Sequence, residues 1–480
     1  MDGEIGQSLK WSAIAVFAVR ALSAIRSLTI ARVVGPRSVG TFAAAFAFVS
    51  LASLVTEFGL QSFLVQRGSR ARADAVAVAQ LALTMGALSC TALLFAARPI
   101  ANFYDDGAIA GLVVALTVSV AFTALAVVPS ALLRADLRFD AVARASVLAE
   151  AAACVVGVGF AVNGAGVWSL VAAALTSQFV TLVALLASRP AWERSERAGR
   201  SRARGEALRF GIGIASGSVV WTFALQGDNV AVGRVLGAAS LGLYAFAYNY
   251  GVMPGGLVGS TVTDVALAGF SNAESDKERA SLLTQFVRVG AAAASPLVLI
   301  SLAIVPAGIR LVLGSEWLDA TKPLQVLLIV GWVRGVLPVE ALLRSKGLVS
   351  AELKVGLFAA PLTVFAAYIG AQTSLLAAAV AVGVVLISAS VAVTWLATQA
   401  VETTIRSVGR AAAPSVLVCA LCTAPLLLNE VLRLTPDAVA VFVGGPLGLA
   451  ACVLAIRRFL PKEWESLVSV ASSRRPPVPT

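Results

Sequence analysis

Arg20, Arg26, Glu57, Asp228, Asp264, Arg288, Arg334 and Glu340 are charged residues set inside long apolar stretches of this sequence. A charge in hydrocarbon is costly, so such a residue normally faces a watery cavity or an oppositely charged partner. Each is therefore a candidate functional residue. Glu57, Asp264, Arg288 and Glu340 fall near the ends of their apolar stretches, where snorkelling or an inner-gate ion pair competes with a ligand-binding role. Arg20, Arg26, Asp228 and Arg334 lie deeper. On a helix that enters the membrane near Lys10, Arg20 is about 15 Å along the axis, close to the midplane, and Arg26 lies further toward the outside. At 100° per residue, Arg20, Ser27, Ser23, Ser12 and Arg26 share an arc of about 120°, while Ile14, Leu22, Ile25 and Leu28 lie on the other side. The first helix thus carries a cationic, polar face expected to look inward.

The elements that must hold these charges follow from composition. The chain has 480 residues, 59% hydrophobic and 13% charged, where a soluble domain carries about 25% charged residues. Its mean hydropathy is +0.88. The apolar runs are about 20 residues long, enough to cross a bilayer as helices. The sequence predicts an all-α, polytopic membrane protein of about 14 transmembrane helices, beginning near Ser8, Thr41, Asp74, Ile109, Ala145, Val167, Gly211, Leu241, Ser281, Pro323, Val355, Leu375, Ser415 and Ala438. With no histidine in the chain, a His-ligated metal, a His general base and a Ser/His/Asp triad are excluded. Cys90, Cys154, Cys419, Cys422 and Cys452 all sit in apolar runs, where cysteine behaves as a small hydrophobe; the CxxC of Cys419 and Cys422 has no second pair to complete a metal site. No P-loop motif is present, so ATP is not the driver. No catalytic residue, metal or cofactor is expected, and no nucleic-acid partner.

The net charge of +11 is a matter of topology. With the N-terminus in the cytoplasm, 26 of the 37 basic residues fall inside, 7 outside (Arg32, Arg37, Arg98, Arg234, Arg310, Lys322 and Arg433) and 4 within spans. That asymmetry predicts both termini in the cytoplasm. The segment from Arg189 to Arg209 carries seven arginines against Glu193, Glu196 and Glu206 and reads as a solvated loop held near anionic headgroups. The expected organisation is a six-helix bundle at 1–190, a basic linker at 191–209, a second bundle at 210–400, and two further helices with a tail at 401–480.

A shift of 202 residues aligns ARVVGPRSVGTFAAAFAF, from position 31, with GRVLGAASLGLYAFAYNY. Between Arg32–Phe46 and Arg234–Tyr248, seven of fifteen positions are identical. Six helices separate the copies, an even number, so the repeat is parallel: two similar bundles about a central cleft. The same shift makes Arg26 and Asp228 equivalent, and a pairing between them is expected when the cavity closes toward the outside.

Within that plan, KWSAIAVFAVRALSAIRSLTIARVVGPRSVGTFA, TEFGLQSFLVQR, PSALLRADLRFD, NGAGVWSLVAAAL, LRFGIGIASG, DNVAVGRVLGAASLGLYAFAYNY and GFSNAESDKERA occur in order over roughly Leu9 to Ala280. These stretches resemble the polysaccharide biosynthesis, or oligosaccharide flippase, family of the multidrug/oligosaccharidyl-lipid/polysaccharide exporter superfamily. The resemblance implies movement of polyprenyl-pyrophosphate-linked oligosaccharide from the inner to the outer leaflet of the bacterial plasma membrane, for lipopolysaccharide, exopolysaccharide or capsule synthesis. It fits a pyrophosphate held by Arg20 and Arg26 on the first helix and matches the family's acidic positions at Glu57 and Asp228; the intramembrane charges themselves add Arg334 to the expected pyrophosphate site, and Asp264 and Arg288 to Glu57 and Asp228 as expected gating or ion-coupling residues. A polysaccharide polymerase and other pathway proteins are the implied partners, besides membrane lipid. A peptidoglycan-precursor flippase would use the same arginines, whereas a multidrug antiporter would be repelled from cationic cargo by an arginine-lined first helix. A polymerase or ligase would need a substantial external loop, and every external loop is short.

Overall fold

The computed structural model describes the backbone of residues 2–188 and 197–471, and their side chains except at 2–17, 69, 197–201, 213–225, 349 and 469–471. The side chains of Lys10, Ser12 and Ile14, and linker residues 189–196 with Glu193 and Glu196, lie outside the described residues.

All regular structure among the described residues is helical. Among the described residues twelve stretches are long and apolar enough to cross a membrane, but two of them, Ala18–Arg67 and Gln226–Asn272, run for 50 and 47 residues, more than twice what one crossing needs. Each is broken by one glycine, Gly35 (φ 74°, ψ 170°) or Gly237 (φ 79°, ψ 178°). A side chain is not tolerated at these angles, so the break is written into the residue type. The two glycines are 202 residues apart, and their dihedrals agree within 10°. The internal repeat is therefore structural as well as textual.

Counting the breaks gives fourteen candidate crossings among the described residues: α1 (2–34), α2 (36–57), α3 (Ala71–Phe103), α4 (Ala108–Ala135), α5 (Phe139–Val162), α6 (Trp168–Ala187), α7 (197–236), α8 (238–272), α9 (Asp276–Gly308), α10 (Thr321–Val336), α11 (Val349–Ala371), α12 (Leu375–Ala400), α13 (Ile405–Leu432) and α14 (Gly445–Phe459). Where a helix carries charge in its first turns, its start precedes the hydropathy reading: α5 begins at Phe139 and not Ala145, α11 at Val349 and not Val355, α13 at Ile405 and not Ser415. Arg144, Lys354, Arg406 and Arg410 stand in those extra turns, where the helix continues through the headgroup layer. Side-chain caps mark several starts. The Oγ of Ser275, Ser374 and Thr404 accept from the N–H of Glu278, Ala377 and Ser407, opening α9, α12 and α13.

The chain forms two compact units, Met1–Gly242 and Leu243–Thr480. In the first, α1 and α2 together pack on α3, α4 and α5, and α3/α4 and α5/α6 form close antiparallel pairs. Small residues set these distances: Gly86 meets Ala124, and Gly157 meets Ala173 and Ile30. This is the expected currency of helix contact where apolar burial gives no preference over lipid. In the second unit, Gly251, Gly255 and Gly259 of α8 lie against Leu327, Gly331 and Gly335 of α10, and a core from Val262, Phe270, Phe286 and Leu342 to Val408 fills the space beside them.

Within the second unit, one cation adds a polar tie to the apolar packing of the C-terminal helices. Arg310 Nε donates to Asp437 Oδ2 at 2.9 Å, and its terminal nitrogen to Asp437 Oδ1 at 2.7 Å and Glu430 Oε1 at 2.8 Å. The three side chains are 18–34% exposed. Removing the cation leaves two facing carboxylates, so Arg310→Gln is expected to destabilise the protein by about 1–3 kcal/mol. A thermal melt in detergent that is unchanged by the substitution would show the tie to be incidental.

Candidate functional site

The glycine break at 35 sets the depth of the arginines on α1. Arg26 stands nine residues before it and Arg20 fifteen, or about 14 and 22 Å along the axis, so both fall inside a hydrocarbon layer about 30 Å thick. Arg20 is exposed, and among the described residues it makes no ion pair. Arg26 is half-buried, with Ser23 and Ser27 beside it, while Ile25 on the opposite side is 57% exposed and suited to lipid.

Arg26 has a partner that the apolar-run reading did not identify. Its Nε donates to Glu150 Oε1 at 2.8 Å, with side-chain exposures of 20% for Arg26 and 10% for Glu150. Glu150 lies eleven residues into α5, about 16 Å from its start. With α5 begun at Ala145 it counts as a helix-end charge; with the true start at Phe139 it is a mid-membrane acid. Arg26 is thus engaged by Glu150 in this structure and not by Asp228.

Asp228, 1% exposed on α7, accepts from the N–H of Asn229 at 2.8 Å, and Asn229 Nδ2 donates to Gln226 Oε1 at 3.0 Å. Further interactions also hold Asp228. Glu57, at the end of α2, is exposed and within electrostatic range of Arg134 on α4. In the second unit, Asp264 and Arg288 are exposed on α8 and α9, and half-buried Arg334 on α10 is within electrostatic range of Glu340. Of the expected site residues, the structure gathers Arg20 and Arg26 on one helix and adds Glu150.

The repeated motif makes a second constellation, inside the first unit. A Cβ built on Gly40 would lie 1.7 Å from the carbonyl oxygen of Ala238, and one on Gly242 would lie 1.9 Å from that of Pro36. Gly40 and Gly242 are equivalent under the 202-residue shift, and so are Pro36 and Ala238. The two copies therefore touch reciprocally, backbone to backbone, and only glycine permits the approach. The loop between α3 and α4 spans both copies. Asp106 accepts from Thr41 Oγ1 at 3.4 Å, Asp105 pairs with Arg234 at 2.6 Å, and the Tyr104 ring packs on Gly233 and Leu241. Burial also pushes the Tyr104 phenol well above its ordinary pKa, so it stays a neutral packing group.

Among the described residues no group of three His, Cys, Asp or Glu side chains could hold a metal ion. The thiols of Cys419, Cys422 and Cys452 are free; the Sγ of Cys452 lies 3.9 Å from the carbonyl oxygen of Cys419.

A family model described as polysaccharide biosynthesis protein matches residues 29–322. The chain is 26% identical over 378 residues to the lipopolysaccharide biosynthesis protein WzxC of Escherichia coli (strain K12), covering 76% of this chain and 74% of the relative. It is also 26% identical over 328 residues to the succinoglycan biosynthesis transport protein ExoT of Rhizobium meliloti (strain 1021), covering 67% of this chain and 65% of that one, just under two thirds of its length. In three dimensions it resembles the inward closed conformation of the lipid II flippase MurJ, with a TM-score of 0.72 at 14% identity over 94% of this chain and 99% of that one.

Proposed function

The chain belongs to the polysaccharide biosynthesis protein family, and on that premise we propose that it is a flippase carrying polyprenyl-diphosphate-linked oligosaccharide units across the bacterial inner membrane for surface polysaccharide synthesis. The likenesses to WzxC and ExoT support this reading. The observation that carries it is the pair of arginines on α1, both at hydrocarbon depth: among the described residues Arg20 makes no ion pair and the terminal nitrogens of Arg26 have no partner.

Such a substrate has three parts with different needs. The diphosphate and sugars cannot cross hydrocarbon, and the prenyl tail can remain in it. Guanidinium groups suit the first part, because planar N–H donors match phosphate oxygens in charge-assisted bonds and stay protonated at any physiological pH. Arg20 and Arg26 then replace the hydration that the diphosphate loses, and Arg334 is a further cation proposed for an anionic substrate. No bond is made or broken, so the protein acts as a carrier and not an enzyme. The bundles at 1–190 and 210–400 are the moving parts of alternating access, with 401–480 appended. Closure toward the outside is at the Gly40/Gly242 contact, while Glu57, Asp228, Asp264 and Arg288 serve gating or ion coupling. The 26 to 7 distribution of basic residues supports an orientation with both termini in the cytoplasm. The polymerase that consumes the flipped unit is the natural neighbour.

A peptidoglycan-precursor flippase is the second reading, favoured by the MurJ-like fold. Deleting the gene separates the two. Loss of surface polysaccharide in viable cells, with lipid-linked oligosaccharide accumulating, supports the first; lysis with intact surface polymer supports the second.

A further inference from the structure

Glu150 has no role in the function proposed above, yet it is a carboxylate at mid-membrane depth bonded to a residue that does. We propose that Glu150 is a positioning residue: it pins the Nε edge of Arg26 so that the two terminal nitrogens are presented to the anionic diphosphate of a prenyl-linked substrate. The inference rests on the reading of Arg26 as part of the anion site.

Three observations carry it. The bond between the side chains is single, Nε to Oε1 at 2.8 Å. A carboxylate placed only to neutralise a guanidinium has a stronger option, two parallel bonds to its fork. Here that option is left open, and among the described residues neither terminal nitrogen has a partner. Second, Glu150 is the more buried of the two, 10% exposed against 20% for Arg26. It stands behind the arginine, and an anion arriving from the open side meets the guanidinium first. Third, the carboxylate is on a rigid mount. Two turns beyond it, Gly157 brings α5 so close to α1 that a Cβ there would lie 2.8 Å from Ile30 Cδ1, and Ile30, one turn beyond Arg26, is fully buried. A group supported in this way holds its partner in one orientation.

The two arginines then divide the work. Arg20, which makes no ion pair among the described residues, supplies positive charge. Arg26, whose charge Glu150 offsets, supplies geometry. Removing the acid therefore raises the net charge of the site while weakening its grip, the reverse of what simple electrostatics gives.

The test is calorimetric titration of the purified full-length chain in detergent with farnesyl diphosphate. Arg26→Ala is expected to weaken binding about tenfold or more, and Glu150→Ala about five- to tenfold, because the cation stays and only its orientation is lost. Glu150→Gln keeps an oxygen at the same reach and stays within about twofold of the native chain, whereas Glu150→Asp keeps the charge, falls one methylene short and binds as weakly as the alanine variant. On an Arg26→Ala background, Glu150→Ala is expected to have no further effect. Native-like binding by Glu150→Asp with weakened binding by Glu150→Gln would overturn the proposal in favour of charge compensation, and an equal loss on the Arg26→Ala background would make Glu150 merely structural. If Glu150→Ala does not fold, the Gln and Asp variants decide. Native-like binding by Arg26→Ala defeats the anion-site reading itself, and Glu150's role with it.

Discussion

Arg20→Ala is expected to leave the protein in the membrane at its normal level and to lower surface polysaccharide at least tenfold. The residue makes no ion pair among the described residues, so its removal costs the fold little. What it removes is one or two charge-assisted bonds to a diphosphate, each worth about 1.5–3 kcal/mol, and each 1.4 kcal/mol is about a factor of ten in binding. Arg20→Lys should recover part of the activity, because an ammonium keeps the charge but loses the planar fork. The check is complementation of a deletion strain with membrane level and polymer measured together. Normal polymer from the alanine variant would take Arg20 out of the site.

Gly40→Ala is the second large effect, and its cause is steric. The added Cβ would sit 1.7 Å from a backbone oxygen, that of Ala238, and the reciprocal Gly242→Ala meets the Pro36 oxygen at 1.9 Å. A side chain could swing aside from such a contact, whereas a backbone carbonyl moves only with its helix. Each substitution should therefore push the two motif copies apart and reduce polymer output to below about a tenth of native, since overpacking costs about 1–3 kcal/mol or more. The displacement can be read without transport. Cysteines at Asp105 and Arg234, whose side chains pair at 2.6 Å, should be joined by a short bifunctional thiol reagent, which spans the gap left when the long arginine is shortened, in a chain cleared of its native cysteines, and several-fold more slowly once Gly40→Ala is added. An unchanged crosslinking rate would mean that the contact accommodates a methyl group and is no closure point.

The fold was largely legible in the sequence because lipid imposes a simple rule: every crossing is about twenty apolar residues, and only helices satisfy their own backbone there. The 202-residue repeat was legible too, down to the pairs Gly35/Gly237 and Gly40/Gly242. Their roles were not. Identity at an aligned glycine says nothing about its φ, nor that two copies touch. Glu150 was passed over for a different reason. Hydropathy ends a span at a charge, so Arg144 cut α5 short and put the acid at its edge. The pairing expected between Arg26 and Asp228 came from the repeat, which gives equivalence of position and not contact. Arg26 instead found an acid on a helix that packs directly against its own.

The central claim is movement of a lipid-linked sugar, and reconstitution tests it most directly. Proteoliposomes containing the pure chain and a fluorescent polyprenyl-diphosphate oligosaccharide can be challenged from outside with a membrane-impermeant reagent that destroys exposed fluorophore. Without protein about half of the lipid, the outer leaflet, is accessible. The account predicts that the native chain makes nearly all of it accessible and that Arg20→Ala leaves the half-value in place; a native chain that also stops at half would contradict it.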